Sequence, residues 1–198
     1  MNYSQKKVTR SYGLLESFLA KKRAGIANRL IKANLRKGRV LDVGCGTFPY
    51  FLSSTVFKEK YGIDSSINLR LIGNKSIFLK KLDIEKNAFP YPNNFFDTVV
   101  MLAVFEHIRS DRIEFVLKEI NRVLKKDGVF IITTPAPWSD KLLWFLAHIG
   151  LVSKIEIKDH KHALDPQKIK KILTHSSFSR IESGFFELGL NMWFKVKK

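Results

Sequence analysis

Arg39-Val40-Leu41-Asp42-Val43-Gly44-Cys45-Gly46-Thr47 reads as a buried strand running directly into a Gly-x-Gly turn. Leu41 and Val43 flank Asp42, so an acid sits at the carboxyl end of an apolar run. Glycines two apart leave bare backbone for a bulky ligand to approach, because no side chain stands in the way. In open α/β sheets ligands bind at that end of the strands. The stretch therefore points to a nucleotide-like ligand, although a dinucleotide loop or a ligand-free tight turn would share the pattern.

Four later features repeat the theme. Tyr61-Gly62-Ile63-Asp64 reads as a second strand ending in a carboxylate, eighteen residues after Gly46. An acid about 20 residues on accepts from ribose hydroxyls in a βαβ unit, and Asp64-Ser65-Ser66 would equally start a helix. The run Ile77 to Leu79 leads to Lys81-Leu82-Asp83-Ile84, a third strand with an acid behind it. Phe95 to Ala103 reads as a fourth strand, followed by Phe105-Glu106-His107-Ile108. Finally Asp111 to Lys125 reads as an amphipathic helix, with lysines in its last turn and Gly128 beyond, before a fifth strand from Val129 to Thr133.

Together these features resemble the class I S-adenosylmethionine-dependent methyltransferases, and are most similar to the small-molecule group that includes quinone-ring enzymes and the methyltransferase type 11 domains. The resemblance is specific from Val40 to Thr134 and weaker on both flanks. It implies an α/β fold: a Rossmann-like three-layer sandwich whose seven-stranded, mostly parallel sheet ends in an antiparallel hairpin. It implies S-adenosyl-L-methionine as cofactor, held by Asp42, Gly44, Cys45 and Gly46 near the methionine end. Asp64 and Ser65 would lie at the ribose, Asp83 and Ile84 at the adenine, and Leu102 and Ala103 along the cofactor. Glu106 and His107 would begin the following helix and face the substrate. Phe48 stands where many relatives have a third glycine. Pro49 occupies the third glycine of the nicotinamide fingerprint, and that reading also leaves Asp83 and Glu106-His107 without a role.

At 198 residues the chain suits one domain, and 45% hydrophobic content is enough for a core. Three stretches are expected: a basic helical cap over 1–38, a cofactor core over 39–134, and a substrate-side lid with closing hairpin over 135–198. Residues 1–10 read as weakly ordered. Tyr12 to Leu35 carries Leu14, Leu15, Phe18, Leu19, Ile26, Leu30 and Ile31 at helical spacing, predicting an amphipathic helix kinked near Gly25. Asp165 and Pro166 start a late helix through His175, and Ile181–Leu188 with Asn191–Val196 form a hairpin around Gly189. A single cysteine rules out an internal disulfide and fits a reducing, cytoplasmic setting.

The net charge is +17. Residues 1–40 hold eleven Lys/Arg against one acid, 41–150 fourteen against twelve, and 151–198 ten against five. The basic ends admit an anionic membrane surface as partner and, less readily, nucleic acid; plain solubility is the bland alternative. Trp138 to Val152 is unusually apolar, either a buried cap or the way in for a lipid-linked acceptor. At eleven residues, Leu142 to Val152 is too short to span a bilayer.

Methyl transfer from a sulfonium is an in-line displacement with a neutral leaving group, so alignment dominates and a base is needed only for a protonated nucleophile. His107 and His162 are the candidate catalytic bases, each with a purely structural alternative. His160-x-His162 lacks a third ligand, and no metal is expected. The expected function is methylation of a small-molecule, lipid-linked or glycan-linked acceptor. RNA methylation and a non-catalytic scaffold are the alternatives. The sequence leaves the oligomeric state open.

Overall fold

The computed structural model describes residues 14–67, 76–139 and 165–198. Its centre is a seven-stranded sheet built from β1 (Arg39–Val43), β2 (Glu59–Asp64), β3 (Ile77–Lys81), β4 (Phe96–Leu102), β5 (Leu124–Pro135), β6 (Ser179–Phe186) and β7 (Asn191–Lys197). The spatial order is β3-β2-β1-β4-β5-β7-β6. β1 to β5 pair in parallel, whereas β7 lies antiparallel to both β5 and β6. The order reverses between β1 and β4, which opens a crevice at their carboxyl ends.

Alternation along the strands sorts the core into two faces. Val40, Val100, Val129 and Ile131 point to one side, where they meet Ala24 and Ala27 of α1 (Leu14–Leu30) and Phe51 and Leu52 of α2 (Tyr50–Ser54). Leu41, Val43, Val99, Met101, Phe130 and Ile132 point to the other. There they meet Ile113, Val116 and Ile120 of α3 (Ser110–Val123), with Ile169 and Leu173 of α4 (Pro166–His175). The α/β sandwich, the parallel sheet and the closing hairpin stand as expected. Asp165 caps α4, accepting from the Lys168 backbone N–H at 2.9 Å.

Four local expectations are corrected. α1 meets the sheet through Ala24 and Ala27 with Leu30 of the expected stripe packed beside them, whereas Phe18 stays 49% exposed under the Lys22 ammonium. Small residues let the helix lie close to the sheet. α1 also stops at Leu30, and a separate 3-10 turn covers Ala33–Lys37. Glu106 and His107 do not begin α3: they form a separate 3-10 turn, Phe105–His107, and the helix starts at Ser110. α3 ends at Val123, so Lys125 and Lys126 lie in the bulged start of β5. There Lys125 donates to both carboxylate oxygens of Asp97 at 2.8 Å.

Long-range polar contacts hold the loops between these layers. Asp97 also accepts from the Arg39 N–H at 2.8 Å, and a Cβ on Gly38 would stand 1.9 Å from the same carboxylate. Arg122 pairs with Glu119 and donates to the carbonyls of Phe89 and Tyr91, which fixes the irregular return from β3 to β4.

Candidate active site

The carboxyl ends of β1, β2 and β4 converge on the glycine turn. Gly44 and Gly46 both adopt positive φ, +77° and +72°. A Cβ on Gly44 would stand 2.4 Å from Val104, so the turn can pack against the chain leaving β4 only as glycine. A Cβ on Gly46 would meet nothing within 4 Å, so this backbone faces open space. Cys45 turns inward onto Gly62 of β2, whose missing side chain makes the room. Burial, with Asp42 and Asp64 nearby, pushes its thiol well up. After the turn, Phe48 and Pro49 lead into the short helix α2, where the Tyr50 N–H bonds the Phe48 carbonyl at 2.8 Å.

Two acids flank the turn. Asp64 accepts from the Gly46 N–H at 2.9 Å through one oxygen, and from the backbone and hydroxyl of Ser66 through the other. It therefore locks the glycine turn to the end of β2, with Ser65 exposed beside it. Asp42 is buried, and its carboxyl is pushed up to about 8 by lost hydration first and the Asp64 charge second.

The other expected residues line the same edge. Asp83 accepts from the Glu85 N–H and pairs with Lys86 at 3.0 Å, which holds its carboxyl below the usual range. Ile84 is partly buried against the core. Glu85 next to it ties this loop to α3 by accepting from the Arg109 backbone at 2.7 Å. Leu102 ends β4, and Ala103 takes a left-handed φ of 54° while its N–H bonds the Thr133 carbonyl at 2.9 Å. A left-handed alanine is strained backbone, a hallmark of functional turns. His107 is half-buried in the 3-10 turn behind it. Glu106 is buried, with its Oε2 unpartnered. His162, His160 and the apolar stretch from Leu142 to Val152 lie outside the described residues.

Reading the sequence missed the strain at Ala103 and the packing of Val104 on Gly44, since neither residue type signals its conformation. It also missed several buried polar atoms with no hydrogen-bond partner on the α1 face: Thr133 Oγ1, Glu187 Oε1, Asn191 Oδ1 and Arg23 Nε. Among the described residues no three His, Cys, Asp or Glu side chains are grouped to hold a metal ion. No helix among them is long and apolar enough to cross a membrane.

Residues 15–182 match the family model described as a methyltransferase domain. An uncharacterised protein of Methanocaldococcus jannaschii is 25% identical over 176 residues, spanning 84% of this chain and 67% of that protein. A sterol 24-C-methyltransferase of Gibberella zeae is 33% identical over 101 residues, 46% of this chain and 26% of that enzyme. The crystal structure of an S-adenosylmethionine-dependent methyltransferase from Archaeoglobus fulgidus superposes with a TM-score of 0.68 at 18% identity, covering 92% of this chain and 94% of that one. At that identity the likeness shows the fold.

Proposed function

Because the chain belongs to the methyltransferase domain family, we propose that it transfers the methyl group of S-adenosylmethionine to a small-molecule, lipid-linked or glycan-linked acceptor. The observation that carries this reading is the pair of carboxyl groups, Asp42 and Asp64, set around an open glycine turn. The residues fit that cofactor. Gly46 leaves a cradle that a Cβ would begin to fill. Asp64, at the end of β2 and bonded to the Gly46 N–H, presents a carboxylate acceptor beside that turn, where a ribose hydroxyl would donate to it. Asp42, buried and reluctant to ionise alone, gains from a cation placed near it. Asp83 shares its carboxylate between its own turn and an incoming amine. Leu102 and Ala103 close the apolar side.

When bound, the cofactor supplies a methyl group on a sulfonium. The chain's own task is then to align the acceptor and, if the acceptor is protonated, to take its proton. His107 is our candidate for that proton at the end of β4, with His162 second. The basic ends of the chain make an anionic surface a fitting place for a lipid-linked acceptor.

Calorimetric titration with S-adenosylmethionine and S-adenosylhomocysteine tests the reading. Micromolar binding (roughly −8 kcal/mol) is expected for the wild type, with at least a tenfold loss in Asp64→Ala at unchanged circular dichroism. No binding of either ligand by the wild type would overturn it.

A further inference from the structure

The α1 face of the sheet carries a second polar cluster, beyond the cofactor residues and next to them. Ala103 is bonded to Thr133, and Thr133 stands level with Trp193 on β7. Asn191, two residues before Trp193, shares that face and lies diagonal to Thr133. Its Nδ2 donates to Glu187 Oε2 at 2.6 Å. Burial pushes the Glu187 carboxyl up against the opposing charges of Arg23 and Lys22 on α1, and among the described residues neither forms an ion pair with it. Thr133 is fully buried and Asn191 94% buried, each with a side-chain oxygen unpartnered; Glu187 Oε1 and Arg23 Nε are unpartnered too. A buried polar atom without a partner is costly, so four together mark a place for something else to bond.

The hairpin tip adds a second cost. Glu187 and Leu188 both take left-handed φ, 53° and 56°, ahead of Gly189 at 84°. Non-glycine residues avoid that region. On the other face of the sheet, where Phe185 pairs with Met192, half-exposed Trp138 and Phe185 lie 5.3 Å apart, and the Trp138 indole N–H is fixed to the Gly189 carbonyl at 2.9 Å.

We propose that Arg23, Thr133, Glu187 and Asn191 form the acceptor pocket, and that it takes a neutral, polyhydroxylated group of sugar type. This rests on the methyltransferase reading and names its substrate class. The orphaned atoms ask for opposite things: Glu187 and Asn191 accept, Arg23 donates, and Thr133 does either. A group carrying donors and acceptors together satisfies all four, as hydroxyls do. An ammonium would meet the Arg23 and Lys22 charges, and a carboxylate or phosphate would meet Glu187.

Saturation-transfer NMR on the full chain with S-adenosylhomocysteine bound tests this, with glucose, mannose and rhamnose as probes and ethanolamine and acetate as charged comparators. The sugars should receive saturation and the charged probes should not. Glu187→Gln and Asn191→Ala should each weaken sugar binding about tenfold and leave S-adenosylhomocysteine affinity unchanged. Saturation of no sugar, equal saturation of the charged probes, or variants that bind sugars like the wild type would overturn the proposal. Failure of S-adenosylhomocysteine to bind would instead sink the cofactor reading, and a sugar signal abolished by Glu187→Gln would still support the pocket.

Discussion

Asp42 holds a proton that an exposed aspartate would have lost. Its folded pKa of about 8 lies above the ordinary 3.8, because burial and Asp64 both oppose a second charge beside the glycine turn. The sign follows by linkage. The folded state binds this proton more tightly, so the stability it lends is complete below about 3.8 and is lost as pH rises through about 8. Asp42→Asn should flatten the fall of melting temperature over that window. The ionised form favours a cationic ligand, so preference for S-adenosylmethionine over S-adenosylhomocysteine should grow between about pH 6 and pH 8.5 in the wild type and stay level in the variant. Calorimetry at the two pH values decides it; parallel profiles would mean that Asp42 is ionised throughout.

At the scale of elements, α1 shows how a helix can be misjudged from its sequence. Its large apolar side chains suggested the whole buried stripe, whereas Ala24 and Ala27 are its buried residues, with Leu30 packed beside them and Phe18 exposed. Ala24 and Ala27 set the distance between helix and strands, so added volume must push the layers apart. Ala27→Leu should cost about 1–3 kcal/mol, while Phe18→Ser, at a half-exposed site, should stay within about 0.5 kcal/mol. Urea unfolding compares them directly, and similar losses from both would put the docking face elsewhere.

Across the whole molecule the layers were legible because burial writes its period into the strands. Val40 to Val43 and Val129 to Ile132 alternate between two faces, and glycines mark where backbone must turn left-handed. What escaped was set by tertiary contact. The short turn at Glu106-His107 comes directly after left-handed Ala103, and past the end of α3 Lys125 reaches across to Asp97. The pocket of orphaned atoms needs β7 beside β5, a neighbour relation that no local pattern announces. The candidate cofactor acids could be named from strand-end spacing together with the family resemblance; the candidate acceptor residues could not. The surplus of positive charge also belongs to this scale. A chain at +17 repels itself, so raising NaCl from roughly 20 to 300 mM, which shortens the screening length, should lift the melting temperature by about 2–4 °C if screening returns about 1 kcal/mol. Differential scanning fluorimetry reads it out, and a fall would mean that pairs such as Asp97–Lys125 outweigh the repulsion.

Gly62 has an effect that reaches past packing. By admitting the Cys45 side chain into the sheet, it takes the chain's sole sulfhydryl out of water and keeps it protonated. Oxidants and mixed disulfides act on exposed thiolate. The loop on which the cofactor reading depends is thereby insulated from peroxide and from the redox poise of its surroundings, even though a cysteine stands at its centre.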